Sequence, residues 1–129
     1  RLYEEVFHQG NLALIDELFS PSYVRHDPAG SDVKGPREVK HLCTVIRTAF
    51  PDIHYTLEDL VAEGDKVVLR WSARATHKGD FMGVAPTSER VRLSGTVTIL
   101  MREGKIQEEW SHWDALGLLQ QLGVIPQRW

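Results

Sequence analysis

One cysteine, Cys43, is all the thiol chemistry that this 129-residue chain carries. A single thiol excludes an internal disulfide and a cysteine-built metal cluster. Its place on an apolar helical stripe marks it as a core residue. Long apolar runs are also missing. No stretch approaches the roughly 20 residues that span a bilayer, and no signal peptide is visible, so a cytoplasmic protein without a membrane partner is expected. Neither sign of charge dominates. Fifteen Lys and Arg stand against eighteen Asp and Glu, a formal net charge of −3 with His neutral, and no basic cluster offers a footing for nucleic acid. There is no G-x-S-x-G, no Walker loop and no dinucleotide fingerprint, so phosphate and nucleotide cofactors lack a binding element. The six histidines include no H-E-x-x-H pair, and no metal is expected. What is left is an ordinary globular composition, 42% hydrophobic and 26% charged. The length fits one domain, residues 1–129, able to bury most of its apolar surface without staples.

The first part of the chain patterns as helix. Arg1 to His8 and Leu12 to Phe19 form two short helical segments broken at Gln9-Gly10-Asn11, with Asn11 suited to an N-cap and Pro21 to a stop. Tyr23 to Gly30 is rich in turn formers and reads as a loop. Gly35-Pro36 opens a longer helix to about Phe50, since proline suits the first turn. Val39, Leu42, Cys43, Ile46 and Phe50 are its apolar stripe. Pro51 ends it. From Ile53 the period changes to two. Ile53 to Ala62, Val67 to Thr76 and Val91 to Arg102 alternate apolar with polar residues, and Glu63 to Lys66 and Glu103-Gly104 supply turns. Helices followed by consecutive strands indicate an α+β domain, with helices on one face of an antiparallel sheet. A strongly twisted sheet of this kind leaves a concave, mostly apolar hollow, a place that suits a small molecule.

The closing strand holds the densest chemistry. Ile106 to Trp113 follows the Gly104-Lys105 turn, and Asp114 stands just before a short apolar helix. A regular strand puts Glu108, Trp110, His112 and Asp114 on one face. A carboxylate in a partly dry pocket is tuned for acid–base work, an imidazole shuttles protons near neutral pH, and an indole makes a wall. Plainer roles stay open. Asp114 is equally placed to cap the helix, His112 to be a structural hydrogen-bonding residue, and a buried Glu108 to need Arg70 or Arg92 as its partner. His26, beside Asp27-Pro28, and His77, beside Lys78-Gly79, are candidates for a cavity rim, and His26 also fits a surface loop.

Five segments carry a resemblance in order and spacing over nearly the whole chain. They are Tyr23 to Pro28, Ala49-Phe50-Pro51-Asp52, Glu63 to Val68, Thr76 to Thr87, and Gly104 to Gly123. Together they resemble the SnoaL-like polyketide cyclase, or ester cyclase, family. The resemblance implies the NTF2-like fold, a cone of curved antiparallel sheet with N-terminal helices packed on its concave face. It also implies ring closure by intramolecular aldol condensation of a polyketide ester, with no metal or organic cofactor. The family's acid/base aspartate falls on Asp114, which would take a proton from carbon next to a carbonyl and later protonate the new alkoxide. The supporting histidine of the neighbouring strand has no counterpart between Val91 and Arg102, which leaves His112 or His77 for that part. Ala75, Lys78 and Ala85 replace residues frequent in the family. The expected site therefore has Asp114, His112 and His77 as catalytic groups. His26, Trp110, Tyr23, Phe50, Trp71, Phe81 and Met82 surround a small hydrophobic carbonyl or polyketide-like substrate. The scaffold hosts several activities, so a related enolate-forming lyase or isomerase belongs to the same expectation, and a non-catalytic ligand-binding domain is the alternative. The apolar tail from Val124 to Trp129 points to a homodimer or higher homo-oligomer.

Overall fold

Two tight turns organise the sheet. In the computed structural model, which describes residues 12–28 and 32–126, Glu103 and Gly104 both take positive φ, 53° and 76°. That is the two-residue turn whose twist matches antiparallel strands, and it joins β5 (Arg90–Arg102) to β6 (Lys105–Trp113). Gly64, at φ 60°, does the same between β3 (His54–Glu63) and β4 (Lys66–Thr76). The chain before them comprises α1 (Ala13–Leu18), β1 (Phe19–His26), β2 (Val33–Lys34) and α2 (Gly35–Ala49), and α3 (Ala115–Gln121) follows β6. The result is α+β: a curved, unclosed six-stranded sheet in the order β2-β1-β6-β5-β4-β3. Every neighbouring pair is antiparallel except β1 with β6, which run parallel.

The helices cover one face. Val39 and Cys43 of α2 and Ile15 of α1 are buried with Phe19 and Tyr23 of β1 and with Leu69, Trp71, Val97 and Ile99 of the sheet. Proline at the start of α2 fits its first turn. No helix among the described residues is long and apolar enough to cross a membrane.

Two local features decide where side chains point. The first is a bulge in β6. Pairing with β5 passes from Met101↔Ile106 to Leu100↔Glu108, so Gln107 is an extra residue on its strand. An extra residue inverts the alternation beyond it. Ile106 is buried, and after the bulge it is Glu109 and Ser111 that are buried, with Trp113 packed against the core. Glu108, Trp110 and His112 turn to the outer face. The second feature is the end of α3. The β5–β6 ladder stops at Gly95↔Trp113, and Asp114 N–H donates to Ser94 O at 3.0 Å. Farther along, the Gln121 side-chain amide accepts from Arg92 N–H at 2.7 Å and donates to Arg92 O at 2.8 Å.

The strands from His54 onward lie within a residue or so of the alternation expected for them. The segment before α2 does not match. Residues 19–26 form a strand, where helix as far as Phe19 and a loop from Tyr23 were expected. Their partner is β6, almost the whole chain away, through Val24↔Glu108, Arg25↔Glu109 and His26↔Trp110. Pro21 falls in the irregular stretch between Phe19 and Val24, where a missing N–H costs the ladder little. The expected helix from Arg1 to His8, and Trp129 with the end of the tail, lie outside the described residues.

Gly95 is closely enclosed in the sheet. A Cβ there would stand 2.5 Å from His112 O and 2.8 Å from the Trp71 ring. Gly95→Ala should therefore cost about 1–3 kcal/mol through overpacking, read as a lowered Tm in thermal unfolding. An unchanged Tm would mean that the sheet yields there freely.

Candidate active site

The parallel pairing of β1 with β6 sets two rows of inward side chains next to each other, bonded rung by rung. The Tyr23 hydroxyl donates to the Glu109 carboxylate. Arg25 Nη2 donates to Ser111 Oγ at 2.8 Å. Trp113 Nε1 donates to Asp27 Oδ2 at 3.1 Å. The rungs grade from interior to rim: Tyr23 is 1% exposed and Glu109 7%, whereas Arg25, Asp27 and Trp113 are half-buried.

Between these rows, α2 and the rest of the sheet lies a cavity of about 210 Å³. Leu42 and Ile46 of α2 form one wall, and Phe50, Ile53, Tyr55, Trp71, Phe81 and Leu93 form others, with Val33, Met82 and Trp113 completing it. Arg25 and Asp27 bring charge to this apolar lining. An inner recess of about 50 Å³ shares Arg25, Leu42, Ile46, Tyr55 and Trp71 with it and reaches Tyr23 and Glu109. The aromatic rings are fitted edge to face: Phe50 to Phe81 at 5.2 Å between centroids, and Tyr55 to Trp71 at 5.4 Å. Phe81 is presented by a tight turn through Met82 and Gly83, closed by Val84 N–H to Phe81 O at 2.8 Å.

Burial governs the inner end. It raises the Glu109 carboxyl above its ordinary range, although the Tyr23 hydrogen bond and the Arg25 charge pull the other way. Burial, then the negative charge of Glu109, raises Tyr23 as well, so the phenol keeps its proton and acts as donor. Cys43, behind the cavity, is pushed up to about 11 by burial, which leaves an unreactive thiol.

The expected residues separate into two sets. Tyr23, Phe50, Trp71, Phe81 and Met82 do line the cavity or its recess. Asp114, His112 and Trp110 do not, because the Gln107 bulge turns their strand face outward. Asp114 is exposed at the N-cap of α3, where Oδ1 accepts from Gly117 N–H at 2.9 Å. A Cβ at Gly117 would come within 2.2 Å of this carboxylate and displace it from its present rotamer. His112 is exposed and borders a shallow outer depression with Asp27, Pro28 and Trp113. Trp110 stacks on His26 at 5.6 Å and 28°, and His26 Nε2 meets Glu108 Oε2 at 2.6 Å. The partner of Glu108 is thus His26, not Arg70 or Arg92, and this cluster sits outside the cavity. His77 is wholly buried. Its Nδ1 accepts from Thr87 N–H at 3.2 Å, an assignment that puts the ring proton on Nε2, and Nε2 has no partner among the described residues. It braces the loop that carries Phe81 and does not line the cavity. No three His, Cys, Asp or Glu side chains gather as a metal site would need among the described residues.

Arg25, Asp27, Tyr55, Glu109, Ser111 and Trp113 are not among the expected site residues. Their signal was present as the paired alternations Tyr23-x-Arg25-x-Asp27 and Glu109-x-Ser111-x-Trp113. Only the long-range strand pairing makes the first of these a strand.

Glu109 gives this geometry a pH signature. Its ordinary value is 4.5 and burial raises it, so between the two values the folded chain holds a proton that the unfolded chain releases. The stability linked to that proton is complete below about 4.5 and is lost as pH rises through the folded-state value. Glu109→Gln keeps an acceptor for Tyr23 and removes the titration. Tm measured from about pH 5 to about pH 8 should fall less steeply in the variant than in the wild type, and parallel curves would refute the raised carboxyl.

Comparison with known proteins places this geometry in a family. The model of the SnoaL-like polyketide cyclases matches residues 1–122. IdmH of Streptomyces antibioticus, assigned as a polyketide cyclase, is 34% identical, with a TM-score of 0.81 over 95% of this chain and 94% of that one. AclR of Streptomyces galilaeus, assigned as a hydroxylase, is 32% identical, with a TM-score of 0.82 over 95% and 77%. A protein of Jannaschia sp. CCS1 assigned as a SnoaL-like polyketide cyclase has a TM-score of 0.88 over 98% and 89%. At 22% identity it speaks for the fold alone. A search of curated proteins returns no match. By its curved sheet, its helix-covered cavity and its matched length, the chain belongs to the SnoaL-like polyketide cyclase family and has the NTF2-like fold.

Proposed function

We propose that the chain is a cofactor-independent cyclase of the intramolecular aldol type, or a related enolate-forming lyase or isomerase, acting on a small hydrophobic carbonyl compound in the cavity beneath α2. Asp27 carries this reading: it is a carboxylate on the wall of an apolar cavity, held by the Trp113 indole at 3.1 Å. A half-buried carboxylate held in place at the rim of an apolar cavity is positioned for general acid–base work on a substrate bound there. Asp27 takes the proton from a carbon next to a carbonyl. The resulting enolate carbon attacks a second carbonyl of the same molecule, a C–C bond forms, and the new alkoxide recovers the proton from the Asp27 carboxyl. Phe50, Trp71 and Phe81 exclude water and hold the substrate folded, which makes the bond-forming step intramolecular in a defined geometry. In this reading Asp114 serves the helix cap, and the proton-transfer role expected of it passes to Asp27. The largely apolar lining also suits a domain that binds without catalysis, and the two readings part on turnover.

Exchange of the acidic protons of 2-tetralone in D2O, followed by NMR, tests this. Wild-type protein should accelerate exchange over buffer. Asp27→Asn should lower the rate by about 100-fold or more, and Asp114→Asn, which preserves the cap, should leave it unchanged. Loss of exchange in Asp114→Asn alone would return the base to Asp114. No acceleration by the wild type would favour the binding domain.

A further inference from the structure

Arg25 is a cavity cation without an ion-pair partner among the described residues. A guanidinium has five N–H donors, and one of those of Arg25 is spent on the neutral hydroxyl of Ser111. No carboxylate comes within ion-pair distance of it among the described residues. The rung on its inner side gives the Glu109 acceptor to Tyr23, in surroundings that burial biases toward the neutral acid. The rung on its outer side holds Asp27 on the Trp113 indole. Arg25 is nonetheless half-buried and lies on the wall common to the cavity and its recess, against Leu42, Ile46, Tyr55 and Trp71. A partly buried cation whose nearby carboxylate, Glu109, is bonded to Tyr23 and biased toward its neutral acid is only weakly compensated, and an anionic group in the cavity would complete the pairing.

We propose that the cavity takes a compact hydrophobic carboxylic acid of one or two rings, bound as its carboxylate against Arg25 with its rings between α2 and the sheet. The fork of a guanidinium matches a carboxylate in two parallel hydrogen bonds, and the aromatic and aliphatic walls match flat rings. The volume of about 210 Å³ lies below the usual range for drug-sized ligands, about 300–1,000 Å³, so the ligand is small. Positions 25 and 27 are about 7 Å apart along the strand. A ligand anchored by its acid at Arg25 therefore presents a more distant carbon, roughly one ring away, toward Asp27. The inference rests on the cavity being the substrate site, and it narrows the proposed substrate from a hydrophobic carbonyl compound to one that also bears an acid.

Calorimetric titration with 2-naphthoate and with its neutral methyl ester tests the charge requirement directly. The wild type should bind naphthoate more tightly than the ester by about tenfold or more. Arg25→Gln should remove that preference by weakening naphthoate and sparing the ester, Arg25→Lys should keep part of it, and Leu42→Trp, which fills the cavity, should abolish binding of both. Equal affinities in the wild type, a preference that survives in Arg25→Gln, or no binding of either compound would overturn the proposal. The reaction is judged separately by the 2-tetralone exchange. Loss of the acid preference with Asp27-dependent exchange intact sinks this inference alone, and an acid preference without exchange sinks the reaction and leaves the inference standing.

Discussion

The parallel contact between β1 and β6 is the constraint on which the rest of the site depends. Two segments from nearly opposite ends of the chain are brought alongside in one direction, which makes their side chains correspond step for step. Tyr23 meets Glu109, Arg25 meets Ser111 and Asp27 meets Trp113. Each polar group that faces inward thereby acquires a partner in a region otherwise built from Leu42, Ile46, Phe50, Trp71 and Phe81. Burial without such partners would cost several kcal/mol per group. The hydrogen-bonded rungs let this wall be polar while the opposite walls stay apolar, and that asymmetry gives the cavity one polar side.

One inserted residue then selects which chemistry faces in. Without the bulge at Gln107, the alternation that buries Ile106 would carry Glu108, Trp110 and His112 inward. With it, those residues form an outer cluster with His26, and Glu109, Ser111 and Trp113 take the interior. Asp114, past the end of the strand, completes the α3 cap.

This explains what was legible in the sequence. The strands from His54 onward announce themselves through alternation and through Gly64 and Gly104, because each pairs with its neighbour in sequence and the local pattern is the tertiary pattern. Trp71 can be placed on the inner face by the alternation of its strand, whereas Phe50, Phe81 and Met82 are expected at the cavity as large apolar groups whose packing is not fixed by alternation. β1 could not be read, since Pro21, Ser22 and Asp27-Pro28 are turn formers whose strand geometry comes from a distant partner. Nor could the sense of β6 be read. A bulge leaves no mark in composition, and an inner face made of Glu109 and Ser111 looks polar and hence external. The residues expected on the inner face of β6 are those on its outer face, and the reverse.

The amide of Gln121 has a meaning beyond its own two hydrogen bonds. Where β6 stops, β5 continues toward Arg90 with a row of N–H and C=O groups facing an empty lane. Such a seam is a template on which a foreign strand can add. By occupying both groups of Arg92, a single side chain from α3 stands in for the absent strand and closes the lane. The last helix is thus a guard against edge-to-edge association. Whatever loosens its seat, whether at Leu118 in the core or at the Asp114 cap, opens a route to aggregation as well as to unfolding.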